Sequence, residues 1–123
     1  MAQGPKPLSP SALGARSRRK GARFENYIAK LLWRVTGHEF KRNLSQLREK
    51  SGRDLETDLP FCIQAKHRRS INVLGSLKEA IEEAEEGEIP IAILRWHNDA
   101  TVAVLLLDDF LEFLRKWVAD IDS

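Results

Sequence analysis

The sequence predicts an α/β domain in the order α-β-β-β-α-β-β-α, with a mixed central sheet flanked by helices. Three segments space their apolar residues three and four apart, the signature of amphipathic helices. Short β-branched or alternating runs lie between them, the signature of strands. Gly, Pro and Asp sit at the joints. A chain of 123 residues with 42% hydrophobic and 31% charged residues suits a single domain with a modest core.

Residues 1–17, with Gly4, Pro5, Pro7 and Pro10, read as a flexible leader, and 18–123 as the folded domain. Phe24, Tyr27, Ile28, Leu31, Leu32 and Val35 mark the first helix, and Gly37 ends it. His38 to Leu44 reads as a strand and Ser45 to Arg53 as a polar loop. A second strand carries Asp54, a turn follows at Asp58-Leu59-Pro60, and Phe61 to Lys66 is the third strand. Leu74, Leu77, Ala80, Ile81 and Ala84 mark the second helix, closed by Gly87, with an acidic outer face directed away from any nucleic acid. Ile89 to Trp96 and Thr101 to Leu107 form a hairpin around His97-Asn98-Asp99-Ala100. Asp108 is the expected N-cap of the last helix, whose apolar stripe runs from Phe110 to Ile121, with Trp117 in the core.

Charge is distributed unevenly. Residues 1–69 hold 16 Lys/Arg against 6 Asp/Glu, and residues 70–123 hold 4 against 12, within a net charge of +2. Two readings follow: a basic face for phosphate backbones, or a fold whose two halves pair with each other. On the first reading Arg16, Arg18, Arg19, Lys20, Arg23, Lys30, Arg53, His67, Arg68 and Arg69 contact DNA. The single cysteine, Cys62, excludes an internal disulfide and a cysteine-rich zinc site, and reads as a small core residue. His38, His67 and His97 lack zinc-site spacing. No apolar run approaches the ~20 residues of a membrane span. The N-terminus lacks a signal peptide's apolar core, which predicts an intracellular protein of the cytoplasm or nucleoid, cellular or viral.

The chemistry-bearing stretch runs from Gly52-Arg53-Asp54 to Gln64-Ala65-Lys66. Strand alternation directs Phe61, Ile63 and Ala65 one way and Cys62, Gln64 and Lys66 the other. An aspartate, an amide oxygen and a lysine beside one strand pair suit a divalent cation acting on a phosphodiester. Asp54, the Gln64 amide oxygen and the Ala65 backbone carbonyl are ligands of the type Mg²⁺ prefers, and Mn²⁺ would substitute. Lys66 would orient water or stabilise developing charge. Glu25, at the border of the first helix's apolar stripe, or Glu56, two residues along from Asp54, would add the negative charge that Gln64 lacks.

This ordered set resembles the PD-(D/E)XK nuclease superfamily, and Lys20-Gly21-Ala22-Arg23-Phe24-Glu25 resembles the opening helix of archaeal-type Holliday junction resolvases. The similarity spans roughly residues 18 to 107. It implies a restriction-endonuclease-like core, Glu25 as the helix carboxylate, Asp54 as the principal metal-binding aspartate and Lys66 as the motif lysine. Gln64 stands where the family usually has Glu or Asp. The resemblance further implies a Mg²⁺-dependent DNA endonuclease acting on branched or double-stranded DNA as a homodimer. The alternatives are a DNA-binding protein without cleavage and a phage-type nicking or end-processing nuclease.

Overall fold

The computed structural model describes residues 10–44 and 52–123, and it contains the expected eight elements in the expected order. They are α1 (Pro10–Thr36), β1 (Phe40–Arg42), β2 (Leu55–Thr57), β3 (Phe61–Arg68), α2 (Val73–Glu83), β4 (Ile89–Trp96), β5 (Thr101–Val104) and α3 (Leu107–Asp122). The strands form one five-stranded sheet in the order β1-β2-β3-β4-β5. Only β3 and β4 run parallel, because α2 carries the chain back across the sheet between them. The other three pairings are antiparallel, so the sheet is mixed.

The alternation read from β3 divides the two cores. Ile63 and Ala65 pack with Phe24, Ile28 and Ala29 of α1, joined by Phe40, Leu55 and Ile93. On the opposite face Leu77 of α2 packs with Ala92 and Leu94, and Val104 and Trp96 close the margin. Cys62 is wholly buried, and burial pushes its thiol up to about 11. No described helix is long and apolar enough to cross a membrane.

Several boundaries differ from expectation, each for a local reason. Backbone helix begins at Pro10, so part of the expected leader belongs to α1; proline is tolerated in a helix's first turn, where its missing N–H has no partner to lose. Residues 1–9 lie outside the described residues, as does most of the expected polar loop, 45–51. At the other end of α1, Gly37 takes φ +75 and donates to the Trp33 carbonyl, the left-handed cap that glycine permits. β1 is shorter than expected, and β2 begins after Asp54, which lies in a bend.

Helix α2 ends at Glu83 with Ala84 extended, so Gly87 shapes the following turn instead of closing the helix. Its start is set by Asn72, whose side chain accepts from the Gly75 N–H. The run Val102–Leu107 is split, with β5 stopping at Val104 and Leu107 opening α3. Leu106, not Asp108, occupies the N-cap and makes no side-chain cap bond; Asp108 and Asp109 lie in the first turn, where negative charge suits the helix dipole. Trp117, expected in the core, is 63% exposed, whereas Trp96 packs against the α2-side core.

A candidate phosphate-binding cleft

Asp54 ends the 52–54 segment by docking on β3. Its N–H donates to the Ile63 carbonyl, and its carboxylate accepts from the Ala65 N–H at 2.9 Å. Because N–H and C=O of one strand residue face the same neighbour, the Ala65 carbonyl opens on Asp54's side. Glu25 approaches from α1, one helical turn past Gly21, and Lys66 comes from β3. These residues line one cleft of about 890 Å³, so the structure brings together Glu25, Asp54, Ala65 and Lys66 from three different segments.

The electrostatics couple the carboxylates. Burial first, and the negative charge of Asp54 second, push Glu25 up to about 7, against the opposing pull of Arg42 and Lys66. In the metal-free protein, folding therefore favours protonated Glu25. This contribution is fully present below the unfolded value of 4.5 and is lost as pH rises through about 7. Denaturant midpoints of the metal-free protein should fall across that window, and Glu25→Gln should flatten the fall. An unchanged pH profile in the variant would show that Glu25 is not the group responsible.

Around the carboxylates the wall is cationic: Arg18, Lys20, Arg42, Lys66, Arg68 and Arg69 all contribute, with His67 and His97. Arg42 extends from β1 to bring its Nε within 3.6 Å of the Glu25 carboxylate, an ion pair too long for a hydrogen bond, and this buried Nε has no hydrogen-bond partner among the described residues. A buried donor without an acceptor costs free energy unless a ligand supplies one. His67 donates from Nε2 to the His97 carbonyl and rests its ring against Phe24 at 5.4 Å. His97 itself takes φ 46 in the β4–β5 turn, which brings that carbonyl to the cleft's rim.

Other expected site residues lie elsewhere. Gln64 is 3% exposed, is not among the cleft-lining residues, and donates its amide N–H to the Gly52 carbonyl at 3.2 Å. Gln64 thus serves as a donor that ties β3 to the 52–54 segment. A carboxylate there would set oxygen against oxygen. Glu56 lines a separate cleft with His38, Lys41 and Asp58; Asp54 lies in a bend ahead of β2, so strand alternation does not put the two on one face.

Arg53 does not face solvent phosphate. Its guanidinium makes a bidentate pair with Glu88, both contacts at 2.8 Å, and also donates to the Glu83 carbonyl at 3.0 Å. Arg19, Arg23 and Lys30 are exposed on α1 but do not line the cleft, and the side chain of Arg16 lies outside the described residues.

The acidic face of α2 also departs from expectation. Glu79 holds Lys66 Nζ at 2.8 Å, and Glu83 accepts from Gly52 N–H at 2.6 Å. A Cβ at Gly52 would meet the Glu83 carboxylate at 3.0 Å, so this close approach favours glycine. Pairing between the two halves of the chain and a basic cleft therefore coexist.

Sequence reasoning missed Arg42, His97 and Glu79. Arg42 and Glu79 become visible only through register and helix docking, since β1–β2 pairing sets Arg42 opposite Leu55. For His97 the hairpin signal existed, but its left-handed backbone did not follow from it.

Among the described residues, no group of three or more His, Cys, Asp or Glu side chains gathers in metal-binding array. The oxygen donors near one another are the Glu25 and Asp54 carboxylates and the Ala65 carbonyl, a set that fits a hard divalent cation with water completing its shell. No family model, curated protein or solved structure matches the chain.

Proposed function

We propose that the chain is a metal-dependent DNA endonuclease that hydrolyses phosphodiesters in this cleft, with branched DNA as its preferred substrate. The observation that carries the reading is the convergence of Glu25, Asp54 and Lys66 inside a wall of arginines. Asp54 and Glu25, with the Ala65 carbonyl, would hold the cation. A bound Mg²⁺ lowers the pKa of water and neutralises charge on the phosphoryl oxygens. Lys66, steadied by Glu79, carries an ammonium beside the carboxylates and would orient water or meet developing negative charge. Arg42, ion-paired with Glu25, would present the outer part of its guanidinium to a phosphate oxygen, while Arg68 and Arg69 hold the flanking backbone.

The test is cleavage of four-way junction, nicked, linear duplex and supercoiled DNA with Mg²⁺ or Mn²⁺, read on denaturing gels. Cutting that requires the metal and stops with chelator is the expected result.

A second reading, DNA binding without hydrolysis, is favoured by the tying of Gln64 to Gly52 and of Lys66 to Glu79. It predicts no cutting of any substrate under either metal, with binding intact.

Both readings make binding steeply salt-dependent. Each phosphate neutralised on duplex DNA adds about −0.9 to the slope of log K against log salt. The double variant Arg68→Ala/Arg69→Ala should therefore flatten that slope by about 2 and weaken binding evenly across sequences, as measured by fluorescence anisotropy. A slope equal to wild type would remove both arginines from the interface.

A further inference from the structure

Helix α3 is amphipathic, yet none of its residues is buried and it makes only sparse contact with the rest of the fold. Phe113, on the flank of the helix, rests on Phe61 at 6.1 Å. The apolar stripe itself faces solvent: Leu107, Phe110, Leu111, Leu114, Trp117, Val118 and Ile121 are each 41–67% exposed. At about 100° per residue these seven side chains span about 120° of the helix, centred on Leu114. Leu106, which immediately precedes the helix, is 43% exposed as well.

Among the described residues nothing buries this stripe. Residues 1–9 hold Met1, Ala2 and Leu8 as their apolar residues, and 45–51 hold only Leu47. Large side chains carry about 150–250 Å² each when aromatic. At the observed exposures these eight residues put several hundred Å² of apolar surface in water. That is the order of the ~800 Å² each partner contributes to a standard interface, and more than a monomer ordinarily leaves uncovered.

The pattern also says what fits it. The spacings along the stripe, 3-1-3-3-1-3, read the same in both directions about Leu114. A helix with this symmetry is complementary to itself run backwards, which is what an isologous two-fold contact requires. Leu107 then meets Ile121 of the second copy, Phe110 meets Val118, Leu111 meets Trp117, and Leu114 meets Leu114.

We propose that α3 pairs antiparallel with α3 of a second copy of this chain, about a two-fold axis at Leu114. The surface stands on α3 alone and holds whether or not the cleft cuts DNA.

Sedimentation equilibrium of the full chain should give twice the 14.0 kDa chain mass. Because the contact is apolar, raising salt from about 0.1 to 1 M should not dissociate it, in contrast to DNA binding in the cleft. Leu114→Glu should yield monomer with an unchanged circular dichroism spectrum. Under mild oxidation Leu114→Cys should form a disulfide dimer, and Leu107→Cys should not. A mixture of Leu107→Cys with Ile121→Cys should form the mixed disulfide. A monomer at all concentrations would overturn the proposal. So would a dimer untouched by Leu114→Glu, or efficient crosslinking of Leu107→Cys to itself, which would mean a parallel pairing.

Discussion

Asp54→Asn should lower metal-dependent cleavage by at least about 10²–10³-fold, the scale on which removal of one charge-stabilising group acts in an active site. DNA affinity should stay within about twofold, because the arginines that meet the backbone are untouched. The asparagine oxygen can still accept from the Ala65 N–H, so the fold should lose little stability. What disappears is one of the two carboxylate charges in the cleft.

A second readout separates this effect from simple misfolding. Asp54's charge is one cause of the elevation of Glu25 to about 7, after burial. In the metal-free variant Glu25 should therefore titrate lower by carboxyl NMR, while remaining above 4.5 because burial persists. Undiminished cutting by Asp54→Asn would eliminate Asp54 as a cation ligand and with it the proposed chemistry.

Arg53→Ala carries the largest expected loss of stability, about 3–5 kcal/mol, the cost of breaking a largely buried ion pair from one side. The Arg53 and Glu88 side chains are only 12% and 17% exposed. Among the described residues, removing the guanidinium leaves the Glu88 carboxylate with the Glu85 N–H alone and strips the Glu83 carbonyl of the Arg53 donor. Urea midpoints at constant m would measure the loss. The double variant Arg53→Met/Glu88→Met should lose much less than Arg53→Ala, since it leaves no buried charge behind.

The pH dependence has a definite sign. The Arg53 hydrogen bond holds Glu88 below the ordinary carboxylate value of 4.5. The pair's contribution is therefore present above that value and is lost as pH falls through the lowered one. Wild type and Arg53→Ala should converge in acid. A loss below about 1 kcal/mol at neutral pH would place the pair with ordinary surface ion pairs. Because Arg53 precedes Asp54, the variant should also slow cleavage without altering the metal's identity.

Much of the architecture was legible in the chain. Element order followed from apolar spacing, and the alternation along Phe61 to Lys66 separated the residues that pack on α1 from those that face α2. Cys62 was readable as core because a lone apolar-flanked thiol has no other use there. Gly37 was readable as a cap because a left-handed residue after an amphipathic run calls for glycine. Boundaries were harder. The continuous run Val102–Leu107 fits the end of a strand and the start of a helix equally well until α3 claims Leu107.

The candidate site was half legible. Asp54 and Lys66 could be named from spacing and residue type, and Glu25 from the resemblance of its helix to a nuclease motif; the three line one cleft. Gln64 could not be placed, because whether its amide faces the cleft or the Gly52 carbonyl depends on a segment twelve residues away. Arg53 looked like one more cation of a basic stretch until Glu88, thirty-five residues on, took both its nitrogens. Trp117 shows the converse: its stripe predicts burial, but a stripe does not name its partner.

The chain by itself determined what repeats locally: the helical and strand periods, the division of charge between its halves, and the symmetric spacing of α3's apolar stripe. These depend on neighbours within one element, whose spacing is written in residue order. Tertiary structure alone decided which charges meet one another. Arg53 and Lys66 pair with α2 and its following turn, Glu56 turns into another cleft, and Arg42 reaches Glu25 as an ion pair that leaves its buried Nε without a hydrogen bond among the described residues. The reason is physical. An ion pair or an orphaned donor is a property of two groups brought together against water, and only the register of the sheet and the docking of the helices brings them there.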